Sequence, residues 1–537
     1  MSSRDVSIDQ SPLLSSDTEF LSHDGYFAIP SMSRVRSHPT HPMYSPYEID
    51  VKTERQIFIN DIPTRKDSVL STFSTYQPPT SSSDVSDSSA DTWIEHDLFE
   101  SSKELFSEEP IDSDFFDLPN GELTPTHESV IEVDEADQPL LDHFLDKVMK
   151  LIFPVLDANH HGSAGSGIIL PALETNRCYL HCCLDVAAVH KKSTDRTVGD
   201  RLDADIVRHR YSIITELCAA FERTNEQRDE RSYTEVLEAT LAVIFFQGRV
   251  GRPDEALPEV AWHQHMQAVV NVVGNLDLPK QLLAPVTHHI PSHPPFNMTL
   301  TAWIDILGAT MLGHSPAFAD MYRELNLAGR SAGLAELMGC DDRVMYLISE
   351  VACLEARNLE GMPEVMLCKY IEVLGQQISL TEDNTVMIQS AMSASGAIRP
   401  KQLAINMTAV YRLAARIYLV AMVPGLDLDQ ASLANLVAAF ADHMDFIPGG
   451  LEGFDRSLVW PLLVAGSVSR PNSLFRSMFA QRCARLGDAA ELGSFGRMRH
   501  LLRDVWAHND GLISGLGAQP LHWRDAMLQK GWDCLLI

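Results

Sequence analysis

From Pro139 to Ile537 the apolar side chains recur at three- and four-residue intervals, the spacing that puts them on one face of an α-helix. Leu141, Phe144, Leu145, Val148, Met149 and Ile152 form the first such stripe, with Asp137 placed to cap it and Pro154 to stop it. Val344, Leu347, Ile348, Val351 and Leu354 form another behind Asp341 and Asp342, and Leu403–Val423 and Ser432–Met444 are rich in Ala and Leu. Alternating patterns of the strand type are scarce. The expected fold is therefore all-α: roughly fifteen helices in one large irregular domain over 139–537, joined at Gly361, Pro424-Gly425 and Pro448-Gly449-Gly450. Helix lengths vary and no fixed period recurs, which argues against a regular solenoid. The apolar run Leu458–Val468 is about half of what a bilayer crossing needs and holds Pro461, so no spanning helix is expected.

Charge divides the chain unequally. Residues 1–140 hold 28 acids and 8 bases, which puts most of the net charge of −31 at the front. Ser71–Ala90 is mostly Ser, Thr, Asp, Pro and Gln, too poor in apolar surface to offset the entropy of ordering. Residues 1–90 accordingly read as a disordered tail, in which Ser11-Pro12 and Ser45-Pro46, with Thr124-Pro125 beyond it, offer proline-directed phosphorylation sites. Residues 91–138 differ. There Trp93, Phe99, Phe106, Phe115 and Phe116 are interleaved with carboxylates, and Lys103 is the one Lys or Arg between Asp91 and Pro119. Mutual repulsion holds such a segment open and leaves its rings available to a partner's groove, as in an acidic activation segment; a solvated linker is the alternative. Those five aromatic residues are the expected coactivator contacts.

The acidic balance argues against a broad phosphate-binding surface, so no direct nucleic-acid contact is expected from this chain. The opening MSSRDVSIDQSPLLSS lacks a basic then apolar leader, and nine scattered cysteines suit reduced thiols better than a disulfide framework.

Candidate chemistry is sparse. Cys178, His181, Cys182 and Cys183 form the clearest metal-like cluster, but no second ligand pair stands at zinc spacing, and buried core cysteines are the preferred reading. His263 and His265 fall on different helix faces, near a Pro-rich stretch with His288, His289 and His293 and no supporting carboxylate motif. Gly162, Gly165 and Gly167 follow a helix and not a strand, which favours a connector over a cofactor loop. Arg249 and Arg252, beside Gly248 and Gly251, could hold a small acidic effector; a helix C-terminus with cations at its negative end is the simpler reading. Arg497–Arg503 places Arg499 and Arg503 on one solvated helix face. Ser514, His500 and His508 assemble into no nucleophile, base and acid set. No catalytic, metal-binding or cofactor-binding residue is assigned, and an enzyme is not expected.

The segments FLDKVMKLIFPVLDAN, ILPALETNRCYLHCCLDVAAVHKK, YTEVLEATLAVIFFQGRVGRPDEALPEVAWHQHMQAVVNVV, FNMTLTAWIDILGATMLGHSPAFADMYRE, GCDDRVMYLISEVACLEA and HWRDAMLQKGWDCLLI together resemble the regulatory domain of fungal zinc-cluster transcription factors. The resemblance spans about residues 130–537 and is nearest to the branch controlling sexual development, whose members end in a similar Trp-containing tail. It implies an all-helical effector region, nuclear residence and control of transcription, with coactivators or other regulators as partners and a homo- or heterodimer among the possible assemblies. Related regulators govern secondary metabolism. One departure stands out: family members bind DNA through six cysteines in CxxC-spaced pairs holding two zinc ions, and this sequence has no cysteine before Cys178. No DNA-contacting residue can therefore be carried over. A start downstream of a first exon, a paralogue without its DNA-binding part, or a partner acting through dimerisation would each account for that. A second expectation treats the helical domain as a sensor whose interhelical pocket binds a metabolite.

Overall fold

The computed structural model describes residues 131, 133–159, 169–194, 199–246, 248–252, 261–283, 294–382, 387–511 and 520–537. The tail 1–90, Trp93, Phe99, Phe106, Phe115, Phe116, Gly162, Gly165, Gly167, His288, His289, His293 and Ser514 lie outside the described residues.

Among the described residues every regular element is helical; the lone ladder contact is an isolated bridge between Met392 and Ile398. The chain enters through α1 (Gln138–His143), which passes by a π-turn at Phe144–Val148 into α2 (Met149–Ile152). Pro154 does end that run, and it opens α3 (Pro154–Asn159), since a proline lacks only a donor that a first turn leaves unpaired anyway. Asp137 stands at the cap position but does not cap: its carboxylate is taken by Arg208 at 2.9 and 2.5 Å. A charged partner outcompetes a backbone amide for the same oxygens.

After α4 (Leu170–Thr175) come three long helices packed on one another: α5 (Arg177–Thr194), α6 (Gly199–Gln227) and α7 (Glu230–Phe246). α8 (Trp262–Asn275) lies on α7, followed by the short α9 (Leu278–Leu283). α10 (Phe296–Leu312) then packs on α7 and leads into α11 (Ala319–Leu327), α12 (Leu334–Met338) and α13 (Asp342–Leu359). Asp341 does cap α13, accepting from the Arg343 amide at 2.9 Å, and the whole stripe Val344, Leu347, Ile348, Val351 and Leu354 is buried, as its period requires.

α14 (Glu364–Ser379) covers one side of α13, and α15 (Pro400–Val420) lies between α13, α14, α16 (Ala431–Met444) and α17 (Val459–Ser467). By length and apolarity α15 is the one helix among the described residues that reaches the measure of a membrane crossing. Its flanks explain the composition: Met407, Val410, Tyr411, Ala414 and Ile417 are buried among those neighbours, so it is apolar as the central helix of the core. The run Leu458–Val468 becomes the buried α17, with Pro461 in its first turn. α18 (Leu474–Leu486), α19 (Gly493–Gly511) and α20 (Trp523–Gln529) complete the body. The helices outnumber the expected fifteen because α2, α3, α4, α9 and α12 are four to six residues long, too short to display a period.

Candidate effector cavity

A cavity of about 490 Å³ opens where α11 turns back through α12 into α13. Ile306 of α10, Leu325 of α11 and Leu334 of α12 give it an apolar floor, and the rings of Tyr322 and Tyr346 flank it. Its rim is polar, with Asn326, Arg330, Ser331, Asp341, Asp342 and Arg343. The N-terminus of α13 faces this rim with its Arg343, Val344 and Met345 amides engaged by Asp341. Asp341 caps it, and Asp342 folds back to accept from Ser331 Oγ at 2.5 Å and from the Leu334 amide at 3.1 Å, fixing the turn that closes the cavity.

Beneath the cavity lie two buried acids. Asp305 accepts from the Ala317 and Phe318 amides at 2.8 and 3.0 Å and from Tyr322 Oη at 2.9 Å; burial still pushes its carboxyl up to about 6. Glu350 accepts from Arg323 Nε at 2.8 Å, and Arg323 also donates to Asp320 at 2.5 Å. Burial lifts Glu350 to about 7 against the pull of that guanidinium. These groups hold α11 on α13 and so set the cavity walls. The lining itself carries neither histidine nor cysteine, and its chemistry suits holding a small organic molecule with an apolar body and a polar group.

The metal-like cluster resolves differently. Cys178, Cys182 and Cys183 are buried on the face of α5 packed against α6 and α7, and the Cys178 thiol donates to the Ile213 carbonyl. Burial raises the Cys182 and Cys183 thiols, Cys182 being raised further, and chiefly, by its hydrogen bond with Cys178. His181 turns from them to His209, with the ring nitrogens 3.1 Å apart, and His209 Nε2 stands 3.5 Å from Asp137. A second imidazole pair, His143 of α1 with His190 of α5 at 2.9 Å, lies across the α1–α5 contact. The sequence reading missed both pairs, because their members lie 28 and 47 positions apart. His263 and His265 do diverge: His263 reaches Asp533 at 3.2 Å, whereas His265 is buried.

Gly248, with φ +73, sits just beyond α7 as a helix terminus requires. Arg249 turns inward from the helix end. Its guanidinium lies over Phe245 at 4.1 Å and donates to the Ile537 backbone oxygen, with Nε and Nη2 closed off from solvent. Gly493 lets α19 begin against this joint, since a Cβ there would lie 1.9 Å from the Arg249 carbonyl oxygen. Arg499 and Arg503 share a face as expected, but both turn to Glu491, which His500 also contacts at 3.1 Å, and Arg497 is buried; His508 is exposed.

Residues 139–537 match the model of the fungal specific transcription factor domain. The chain is 46% identical to "Transcriptional regulatory protein pro1" of Neurospora crassa over 535 residues, 95% of this chain and 75% of that protein. It is 23% identical over 281 residues, 46% of this chain and 48% of the relative, to "Pestheic acid cluster transcriptional regulator 3" of Pestalotiopsis fici. No solved structure matches.

Proposed function

Because the chain belongs to the fungal specific transcription factor domain family and is a transcription regulator, we propose that it acts in the nucleus by presenting residues 91–118 to coactivators while its helical body governs that presentation. One observation carries the reading: the family match begins at residue 139 and leaves the carboxylate-rich, aromatic-studded segment outside the matched domain. Trp93, Phe99, Phe106, Phe115 and Phe116 are then the rings that enter a coactivator groove, with the surrounding acids keeping them accessible. The resemblance of the helical segments supports a role in sexual development; the P. fici relative, named for the pestheic acid cluster, supports secondary metabolism as the alternative. A regulator of this kind works by contact with other macromolecules, and no catalytic role is assigned.

The test is a reporter assay with the full chain fused to a heterologous DNA-binding module. Changing the five aromatic residues to Ala should lower activation about tenfold, as removal of hot-spot side chains does, whereas Ala at Ser81, Ser82 and Ser83 should leave it within about twofold. Equal output from the aromatic variant and the parent rejects the assignment.

The cavity supports a second role, that of an effector sensor. A ligand held between α11 and α13 would favour one packing of that joint and shift how the front segment is displayed. Thermal stabilisation of the full chain by a candidate metabolite, lost when Ile306→Trp fills the floor, separates a sensor from a passive scaffold.

A further inference from the structure

Helix α6 carries two separate apolar stripes. Leu202, Ile206, Ile213 and Leu217 are buried against the rest of the body, as an amphipathic helix requires. On the outer side, where charged residues are expected, Val207, Tyr211 and Ile214 are 63%, 72% and 45% exposed. Ala204 and Cys218 extend this line outward, and the half-buried Phe221 continues it. The steps from 204 to 221 run three, four, three, four, three, which is the a/d seam of a coiled coil. No other helix among the described residues exposes three large apolar side chains at this spacing.

We propose that a second copy of this chain docks on this seam, the two α6 helices lying antiparallel about a two-fold axis beside Ser212 and Ile213. In that register Tyr211 meets Ile214 of the second copy, Val207 meets Cys218, and Ala204 meets Phe221. Each layer sets a larger side chain against a smaller one, whereas a parallel pair would stack Tyr211 on Tyr211 and Ala204 on Ala204, crowding one layer and emptying another. The charged flank is self-complementary in the same register. Arg208 and Glu222 occupy equivalent flanking positions and are both exposed. Helical side chains lean towards their own N-terminus, so across an antiparallel pair Arg208 of each copy and Glu222 of the other lean towards one another. Arg208 is pre-oriented for this by Asp137 and Asp205, which hold its guanidinium in place. The flank on the other side brings Arg210 of the two copies near the axis, where Asp185 at 3.2 Å already offsets each charge. The inference is independent of the coactivator reading and has its own readout, the state of association.

Sedimentation equilibrium of the full chain between about 1 and 100 μM, the range over which transient protein pairs assemble, should show a monomer–dimer equilibrium. Tyr211→Glu should weaken it at least about tenfold with an unchanged thermal transition, because the ring makes little contact with its own chain. Glu222→Arg, which replaces each Arg–Glu contact by two like charges, should also weaken it and serves if the first variant misfolds. Orientation is read from Val207→Cys: oxidation should yield an intermolecular link from position 207 to Cys218, lost in the additional Cys218→Ser variant. Links between two copies of position 207 would overturn the antiparallel arrangement. A parent chain that stays monomeric throughout, as it would if residues 91–118 filled the seam instead, overturns the proposal, as does a dimer indifferent to both charge-introducing variants.

Discussion

Two joints of the helical body bury ionisable groups in opposite ways. Where α11 meets α13, Glu350 and Arg323 face one another in full burial, with Asp305 close by on α10. Where α1, α5 and α6 meet, two of the buried groups are imidazoles that face half-buried ones: His209 against His181, and His190 against His143. The first joint binds a charge and its counter-charge together. The second keeps its two buried imidazoles neutral, since burial lowers both His209 and His190 to about 4, while Asp137 and Asp185 beside them are paired with Arg208 and Arg210. The contrast teaches that one apolar interior can depend on protons being absent at one end and on a carboxyl group held near its titration point at the other.

The largest effect should come from breaking the pair. Glu350→Ala leaves the Arg323 guanidinium buried with Asp320 as its one carboxylate partner, and removing one member of a buried ion pair costs about 3–5 kcal/mol. Urea unfolding at pH 8, where the Glu350 carboxyl is ionised, measures it. A loss below about 1 kcal/mol, as for exposed pairs, would show that water reaches this joint and erase the difference between the two regions.

Acidification should then separate the joints by sign. His209 and His190 have folded values near 4 against an ordinary value of 6.5, so the stability they contribute is complete above 6.5 and is lost as pH falls through 4. Around His209 stand Asp137, Arg208, His181 and Asp205; around His190 stand His143, Arg456 and Lys147. For both, burial outweighs these charges. Asp305 and Glu350 are raised to about 6 and about 7, so their contribution is complete below the ordinary carboxyl range and is lost as pH rises through those values. Between pH 7 and pH 4.5 the stability gap between the parent and His209→Gln should therefore shrink, while the gap between the parent and Glu350→Gln should grow. Thermal unfolding at several pH values reads both. Gaps that move in parallel would mean that one electrostatic account covers both joints.

Which parts were legible in sequence follows from how far apart the interacting residues lie. The α13 stripe and its Asp341 cap were visible because period and cap are written within neighbouring residues. Asp137 had the same local signature and failed as a cap because Arg208, 71 positions away, claims its oxygens. The inward turn of Arg249 was equally invisible, as its acceptor is at Ile537, 288 positions on. The cavity draws its lining from residues 306–346 on four helices and the turns between them; of these the sequence reading had named Asp341 and Asp342, and only as the pair in front of the α13 stripe. The outer seam of α6 did have a local signal, since apolar residues at 207, 211 and 214 accompany those at 206, 213 and 217. A reading that seeks one apolar face per helix passes over the second.

The smallest effect calibrates the rest. Arg470 holds Asp429 by two hydrogen bonds of 2.7 and 2.8 Å, a geometry at least as good as that of Arg323 with Glu350, yet the Asp429 side chain is 63% exposed. Solvent screens this pair and the unfolded chain hydrates both partners well, so Asp429→Ala should cost about 0.2–1 kcal/mol, shrinking further in high salt. Glu350→Ala should respond weakly to salt, because counter-ions do not enter the α11–α13 joint. If urea unfolding with and without about 0.5 M salt gave both variants the same loss and the same salt response, bond geometry and not burial would be setting the strength of the pair, since a Debye length of about 4 Å at that ionic strength distinguishes exposed charges from enclosed ones.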